Sequence, residues 1–221
     1  MIKPIRRIVT GHNAQGRSII VSDAPSPHVL TLPGRADLAL TDLWVTDRAP
    51  ASNAGSVDAA KRRMSLEPPM NGSIFRVVEF PPDAAGGGGF DRAAAFRAMG
   101  ASHALDPDGS RHPAMHRTDT VDYALVLTGE IWALMDEGET LMRAGDTLVQ
   151  RGTNHAWSNR SDQPSLVAFV LVSAASLSEK PGGKPAAKPV RRAAVRAGRG
   201  SSSRRPSRRT TARPRRKPRP R

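Results

Sequence analysis

Between residues 121 and 173 the chain is cut into short apolar runs by glycine turns, and this spacing constrains the fold more than any other feature. VDYALVLT (121–128) stops at Gly129-Glu130, and IWALMD (131–136) stops at Glu137-Gly138-Glu139. TLMRAGDTLVQRG doubles back around Ala144-Gly145-Asp146, and SLVAFVLVS (165–173) follows the polar turn SDQP. Short β-branched and aromatic runs with a turn signal about every 8–12 residues predict an all-β sandwich or barrel.

The first hundred residues read as a looser, strand-rich extension. IRRIVT (5–10) and RSIIVS (17–22) flank GHNAQG as a hairpin. ALTDLWVTD (39–47) is a further strand, with Leu43 and Val45 expected on one face, and GSIFRVVEFPP (72–82) is a strand stopped by Pro81-Pro82. Residues 48–72 read as a loop with a short helix near 57–64; Gly86 to Gly89 read as a flexible link. FDRAAAFRAMGA (90–101) suits one or two helical turns ending at Gly100, and DPDGSRHP (106–113) is turn chemistry. The expected division is an N-terminal extension over 1–100, a barrel core over 101–178 and a basic tail over 179–221.

Charge is divided as sharply as structure. Of 34 Lys and Arg, 17 lie in 180–221 with no Asp or Glu, which leaves 17 basic and 20 acidic residues in 1–179. The tail is rich in Pro, Arg, Ser and Gly and has no aromatic residue, so it cannot bury a core and is expected to be disordered. Three readings of it stand: an inert extension, an arm that binds nucleic acid through phosphates without sequence preference, or a membrane-surface segment. The chain has no cysteine, which removes disulfides, thiolate metal sites and a cysteine nucleophile. No apolar run reaches the roughly 18–20 residues of a transmembrane helix, and the N-terminus lacks the apolar stretch of a secretory signal. A cytoplasmic protein is expected.

Chemistry concentrates between residues 109 and 159. His116, Thr118, Thr120 and Asp122 share one parity, as do His155, Trp157 and Asn159. On a regular strand His116 and Asp122 would stand about 20 Å apart, so a shared site requires a bulge or a bend near 118–120. Two imidazoles and a carboxylate suit a divalent first-row metal, and such groups also do acid–base work without metal. His155 reads either as such a group or as a hydrogen-bonded turn histidine. Asp122 reads either as a ligand or as a partner of a neighbouring Thr. Trp157 is either a wall of a substrate pocket or core, and Tyr123, of opposite parity, is packing or a pocket residue. His112 and His103 read as loop residues.

These residues resemble the two motifs of the cupin family. In the first, Gly109, His116, Asp122 and Gly129 stand where Gly, the first His, Glu and the closing Gly are usual; Thr118 occupies the second His position, and six residues separate Gly109 from His116, one more than usual. In the second, Gly145, Asp146, Gly152, His155 and Asn159 match, with Gln150 or Arg151 where Pro is usual. VTGHNAQGRS, MHRTDTVDY, LTGE and QRGTNHAWSN look like a subgroup of single-cupin proteins of bacteria and fungal polyketide clusters labelled cupin-domain oxidoreductases, which also lacks the second His. The resemblance covers residues 5–173 in patches. It implies a double-stranded β-helix (jelly-roll) barrel and brings His116, Asp122 and His155 together around a divalent metal (Fe, Mn, Zn or Ni). It also implies an oxidoreductase or isomerase acting on a small oxygenated organic molecule beside Trp157 and Tyr123, with His116 and His155 as catalytic residues. The alternative is a metal-free small-molecule binding or sensing module. The spare N-terminal strands would suit a homodimer that shares sheets.

Overall fold

Alternation of apolar and polar residues places one long sheet against one short one. The structure, a computed structural model, describes residues 2–86, 90–106 and 111–177. The basic tail, part of the Gly86–Gly89 link and part of the 106–113 turn therefore lie outside the described residues. The six-stranded antiparallel sheet has the order β3 (Val29–Leu32), β4 (Arg35–Thr46), β5 (Ser73–Phe80), β11 (Ser165–Ser173), β6 (Thr120–Thr128) and β9 (Thr147–Arg151). The three-stranded sheet has the order β10 (His155–Ser158), β7 (Glu130–Met135) and β8 (Glu139–Arg143). A separate hairpin pairs β1 (Arg6–His12) with β2 (Ser18–Pro25). The expected all-β barrel is thus the observed architecture.

Register shows what each face carries. Across β4, β5, β11 and β6 the inward rows include Leu40–Val78–Val167–Val126 and Val45–Ile74–Leu171–Asp122, the latter running on to Gln150 of β9. These apolar residues belong to the main core, with Ile131, Ala133 and Met142 from the smaller sheet. β4 and β5 therefore belong to the same sheet as β6, β9 and β11, although residues 1–100 read as an extension. The pairing of β5 with β11, from Phe80–Ser165 to Ser73–Val172, joins a strand before residue 101 directly to one after it.

Two local expectations fail for physical reasons. A bulge between Asp42 and Trp44 puts Leu43 on the outer face, in a small cluster with Val77 and Leu166, while Val45 enters the main core. Residues 57–64 form no helix. Asp58 instead accepts from Arg7 Nη1 and Nη2 at 2.9 and 2.6 Å and contacts His28 Nε2 at 2.9 Å, which ties this loop to the hairpin. The helix expected within 90–101 is α1 (Arg92–Ala98), capped by the Asp91 carboxylate accepting from the Ala94 amide at 2.9 Å and closed by Gly100 at φ +66°. No helix among the described residues is long and apolar enough to cross a membrane.

Candidate functional site

A cavity of about 610 Å³ lies between the sheets, with α1 against it. Its walls are mainly apolar and aromatic. Trp157 packs with Phe169 (centroids 5.2 Å, interplanar angle 74°) and Phe80 (6.4 Å), and Phe96 of α1 meets the His116 ring edge-on at 5.2 Å. Trp157 lines the cavity. Tyr123 does not. It is 52% exposed on the outer face of β6, because its neighbours Asp122 and Ala124 hold the inward positions.

His116 and His155 meet through an isolated antiparallel bridge, each backbone N–H donating to the other's carbonyl at 2.9 Å. Their ring centroids are 4.3 Å apart. His116 Nδ1 is 2.8 Å from the Ala114 carbonyl oxygen, and His155 Nδ1 is 3.0 Å from that of Thr153. A carbonyl only accepts, so each Nδ1 carries the proton and each neutral ring keeps its lone pair on Nε2. Two adjacent imidazoles are thus oriented alike by backbone. Burial, then the neighbouring His116, pulls His155 down to about 3; burial lowers His116 against the opposing bond to Ala114. Protonating His155 at neutral pH would cost about 5 kcal/mol, so this ring is a hydrogen-bond acceptor or ligand rather than a proton-abstracting base.

Asp122 sits on the large sheet, across from the small-sheet strand that holds His155. It is 5% exposed, and its Oδ1 has no hydrogen-bond partner. Burial pushes its carboxyl up to about 6, against a bond from the Thr120 hydroxyl and the charge of Arg76. Thr120 also shares a 2.7 Å bond with Thr118, the residue at the second His position. Arg76 is itself buried, with Nε donating to Asp42 Oδ1 at 2.8 Å and Nη2 to the Ser65 carbonyl at 2.7 Å.

A divalent first-row ion generally takes at least three protein donors. Among the described residues no three His, Cys, Asp or Glu side chains are grouped to hold one. The expected trio of His116, Asp122 and His155 is therefore corrected to a pair of imidazoles with a carboxyl on the opposite sheet. The donor set present does not fit a resident Fe, Mn, Zn or Ni ion.

Nothing in the motifs singles out Arg76 or Phe96, both of which line the cavity. His112, a loop residue by sequence, lines the cavity, and its Nδ1 accepts from the Ala114 amide at 3.1 Å, which leaves Nε2–H as a donor. Arg76 had a readable signal, a lone charge sharing parity with Ile74 and Val78 inside an apolar strand. His103 lies at the surface against Glu67.

No family model matches the chain. The cupin-domain-containing oxidoreductase virC of Hypocrea virens is 30% identical over 169 residues, spanning 75% of this chain and 72% of that protein. The chain belongs to this cupin family. Phomopsin biosynthesis cluster protein C' of Diaporthe leptostromiformis is 30% identical to the cupin over 174 residues, spanning 76% of the cupin and 78% of that protein. Among solved structures, the cupin domain of Schizosaccharomyces pombe Cnp3 covers 76% of the cupin and 87% of that chain at 10% identity, with a TM-score of 0.37.

Proposed function

We propose that this cupin is an enzyme of the oxidoreductase type that transforms a small oxygenated organic molecule inside the 610 Å³ cavity. One observation carries the reading. Two imidazoles, each with Nδ1–H bonded to a backbone carbonyl so that Nε2 keeps the lone pair, line an apolar chamber whose wall also holds a carboxyl with a free oxygen. Groups that accept hydrogen bonds, set in a cavity lined by aromatic rings, complement a substrate bearing hydroxyl donors on an apolar frame. His116 and His155 would hold such a hydroxyl, and Asp122, placed near 6 by burial, would exchange a proton with the substrate. The oxidoreductase type is supported by the name of the virC relative.

The lack of a third metal ligand among the described residues favours a second reading, a metal-free binding or sensing module. One experiment separates the two. Small phenols, alcohols and acids are screened by thermal shift with and without chelator, and the stabilising compounds are followed for turnover by mass spectrometry. Conversion that is lost in His116→Ala and His155→Ala supports the enzyme. Chelator-resistant binding without conversion supports the module.

The basic tail is a separate matter. We propose that residues 179–221 bind nucleic acid or another polyanion without sequence preference, on the strength of 17 cationic residues with one acidic residue, Glu179, at the start.

A further inference from the structure

The peptide groups of Ala114 set two histidines in opposite hydrogen-bonding senses. Ala114 lies in the turn from His112 to Met115, which the Met115 amide closes by donating to the His112 carbonyl at 3.0 Å. The Ala114 amide donates to His112 Nδ1 at 3.1 Å, and the Ala114 carbonyl oxygen accepts from His116 Nδ1 at 2.8 Å. An amide N–H only donates and a carbonyl only accepts, so the two neutral rings are fixed as opposite tautomers. His112 carries its proton on Nε2, whereas His116 keeps a lone pair there. Burial holds the His112 ring below the ordinary imidazole value, against the attraction of Asp83 and together with the repulsion of Arg160, so the ring keeps a single proton at neutral pH.

Both rings line the cavity, as do Pro113 and Ala114 between them, so one short turn presents a donor and an acceptor to the same space. Among the described residues, no group of the protein is bonded to His112 Nε2. Charged groups that share the wall are already engaged by the protein. Arg35 donates to Asp37 Oδ1 at 3.0 Å and to the Pro82 carbonyl at 3.4 Å, and Arg76 is held by Asp42 and the Ser65 carbonyl. Asp83 accepts from the Ser158 hydroxyl at 2.6 Å and from the Asn159 amide at 3.2 Å.

We infer that His112 is a specificity-determining residue of this cavity, its Nε2–H taking a carbonyl oxygen of the same molecule whose hydroxyl is held by His116 and His155. The substrate class is then a hydroxy-carbonyl compound on an apolar frame, rather than a simple alcohol or phenol. The assignment rests on the hydroxyl-holding role proposed above for His116 and His155, and adds to it a group of opposite polarity. The physical ground is desolvation. A carbonyl moved from water into an apolar chamber loses its hydrogen bonds, and a ligand that covers His112 without offering an acceptor strands the ring N–H. Pairing the two removes both costs, so the cavity discriminates by whether an acceptor stands where His112 needs one.

Two measurements on the full-length chain test this. Nitrogen-15 NMR without ligand should find the His112 proton on Nε2, opposite to His116; a His112 proton on Nδ1 overturns the inference whatever the variants do. Isothermal titration calorimetry then compares the ortho, meta and para hydroxyacetophenones with the matching ethylphenols. Each pair differs by a carbonyl in place of a methylene, so the ratio of affinities isolates the acceptor. At least one ketone should bind about tenfold more tightly than its ethyl counterpart. His112→Phe should bring that ratio close to one, and His112→Gln, which keeps a side-chain N–H, should restore part of it. A ratio close to one for every pair in the native chain, or a preference that survives His112→Phe, overturns the inference while the hydroxyl site stands. Failure of both series to bind overturns the hydroxyl site and the inference with it.

Discussion

Asp122 and His155 titrate in opposite senses, and the difference can be read in stability. His155 is held near 3 in the folded chain against about 6.5 unfolded, so its contribution is complete above about pH 6.5 and is lost as pH falls toward 3, by about 5 kcal/mol. Asp122 is raised to about 6 from roughly 3.9, so its contribution is complete below about pH 4 and is lost as pH rises toward 6, by about 3 kcal/mol. His116, also lowered, adds to the first effect. Urea unfolding at a series of pH values should therefore show stability falling from pH 6.5 to 4. Asp122→Asn should steepen that fall by removing the opposing group, and His155→Asn should flatten it. Arg76 offers a second test. Removing one partner of its buried pair with Asp42 strands a charge, so Arg76→Ala should cost about 3–5 kcal/mol in urea unfolding, whereas Arg76→Met with Asp42→Leu should recover most of it. His116, His155 and Trp157 were legible because motif spacing and strand parity point at them. The position of Asp122 was not, because parity tells which face a residue takes and not which sheet its strand joins. His112 reads as a loop residue because its place at the cavity depends on a turn, with Met115 N–H donating to the His112 carbonyl at 3.0 Å, rather than on a periodic element.

Strands β6 to β9 and β11 were legible from alternation and glycine turns, and their observed bounds follow the apolar runs to within a residue or two. β3 (Val29–Leu32) and the full length of β4 were not, because PSPHVLTLPGRADL carries prolines and charges that mask an edge strand. The bulge at Asp42/Trp44 was equally hidden: it moves Leu43 outward so that Asp42 can face Arg76, a requirement visible only once β4 and β5 are paired. At this scale α1 is the element to perturb. It is seven residues long and depends on its cap, and it carries Phe96 onto the His116 ring. Asp91→Ala should lower stability by about 1 kcal/mol. Since α1 borders the cavity, the same substitution should weaken binding of any ligand found in the thermal-shift screen, measured by calorimetry, while leaving the His116–His155 bridge in place.

For the whole molecule, fold class was readable from the chain alone, but the boundary between extension and barrel was not. Composition shifts at the glycine link, whereas the sheet runs straight through it, because β5 pairs with β11 over residues nearly a hundred positions apart. The tail is the one part in which composition alone motivates a function. Removing residues 179–221 should abolish retention on a DNA matrix at low salt and flatten the dependence of retention on salt. Equal retention of full-length and truncated chains across the series would remove that proposal. The proposed chemistry rests on two imidazoles of the cavity wall held neutral by burial, each with Nδ1 bonded to a backbone carbonyl. Nitrogen-15 NMR of the six histidine side chains, assigned with His116→Gln and His155→Gln, tests this directly. Both rings should carry their proton on Nδ1; His155 should stay neutral from about pH 8 to about pH 5, and His116 should titrate below the ordinary imidazole value. A ring at either position that carries its proton on Nε2, or that titrates near the ordinary imidazole value, would contradict the account.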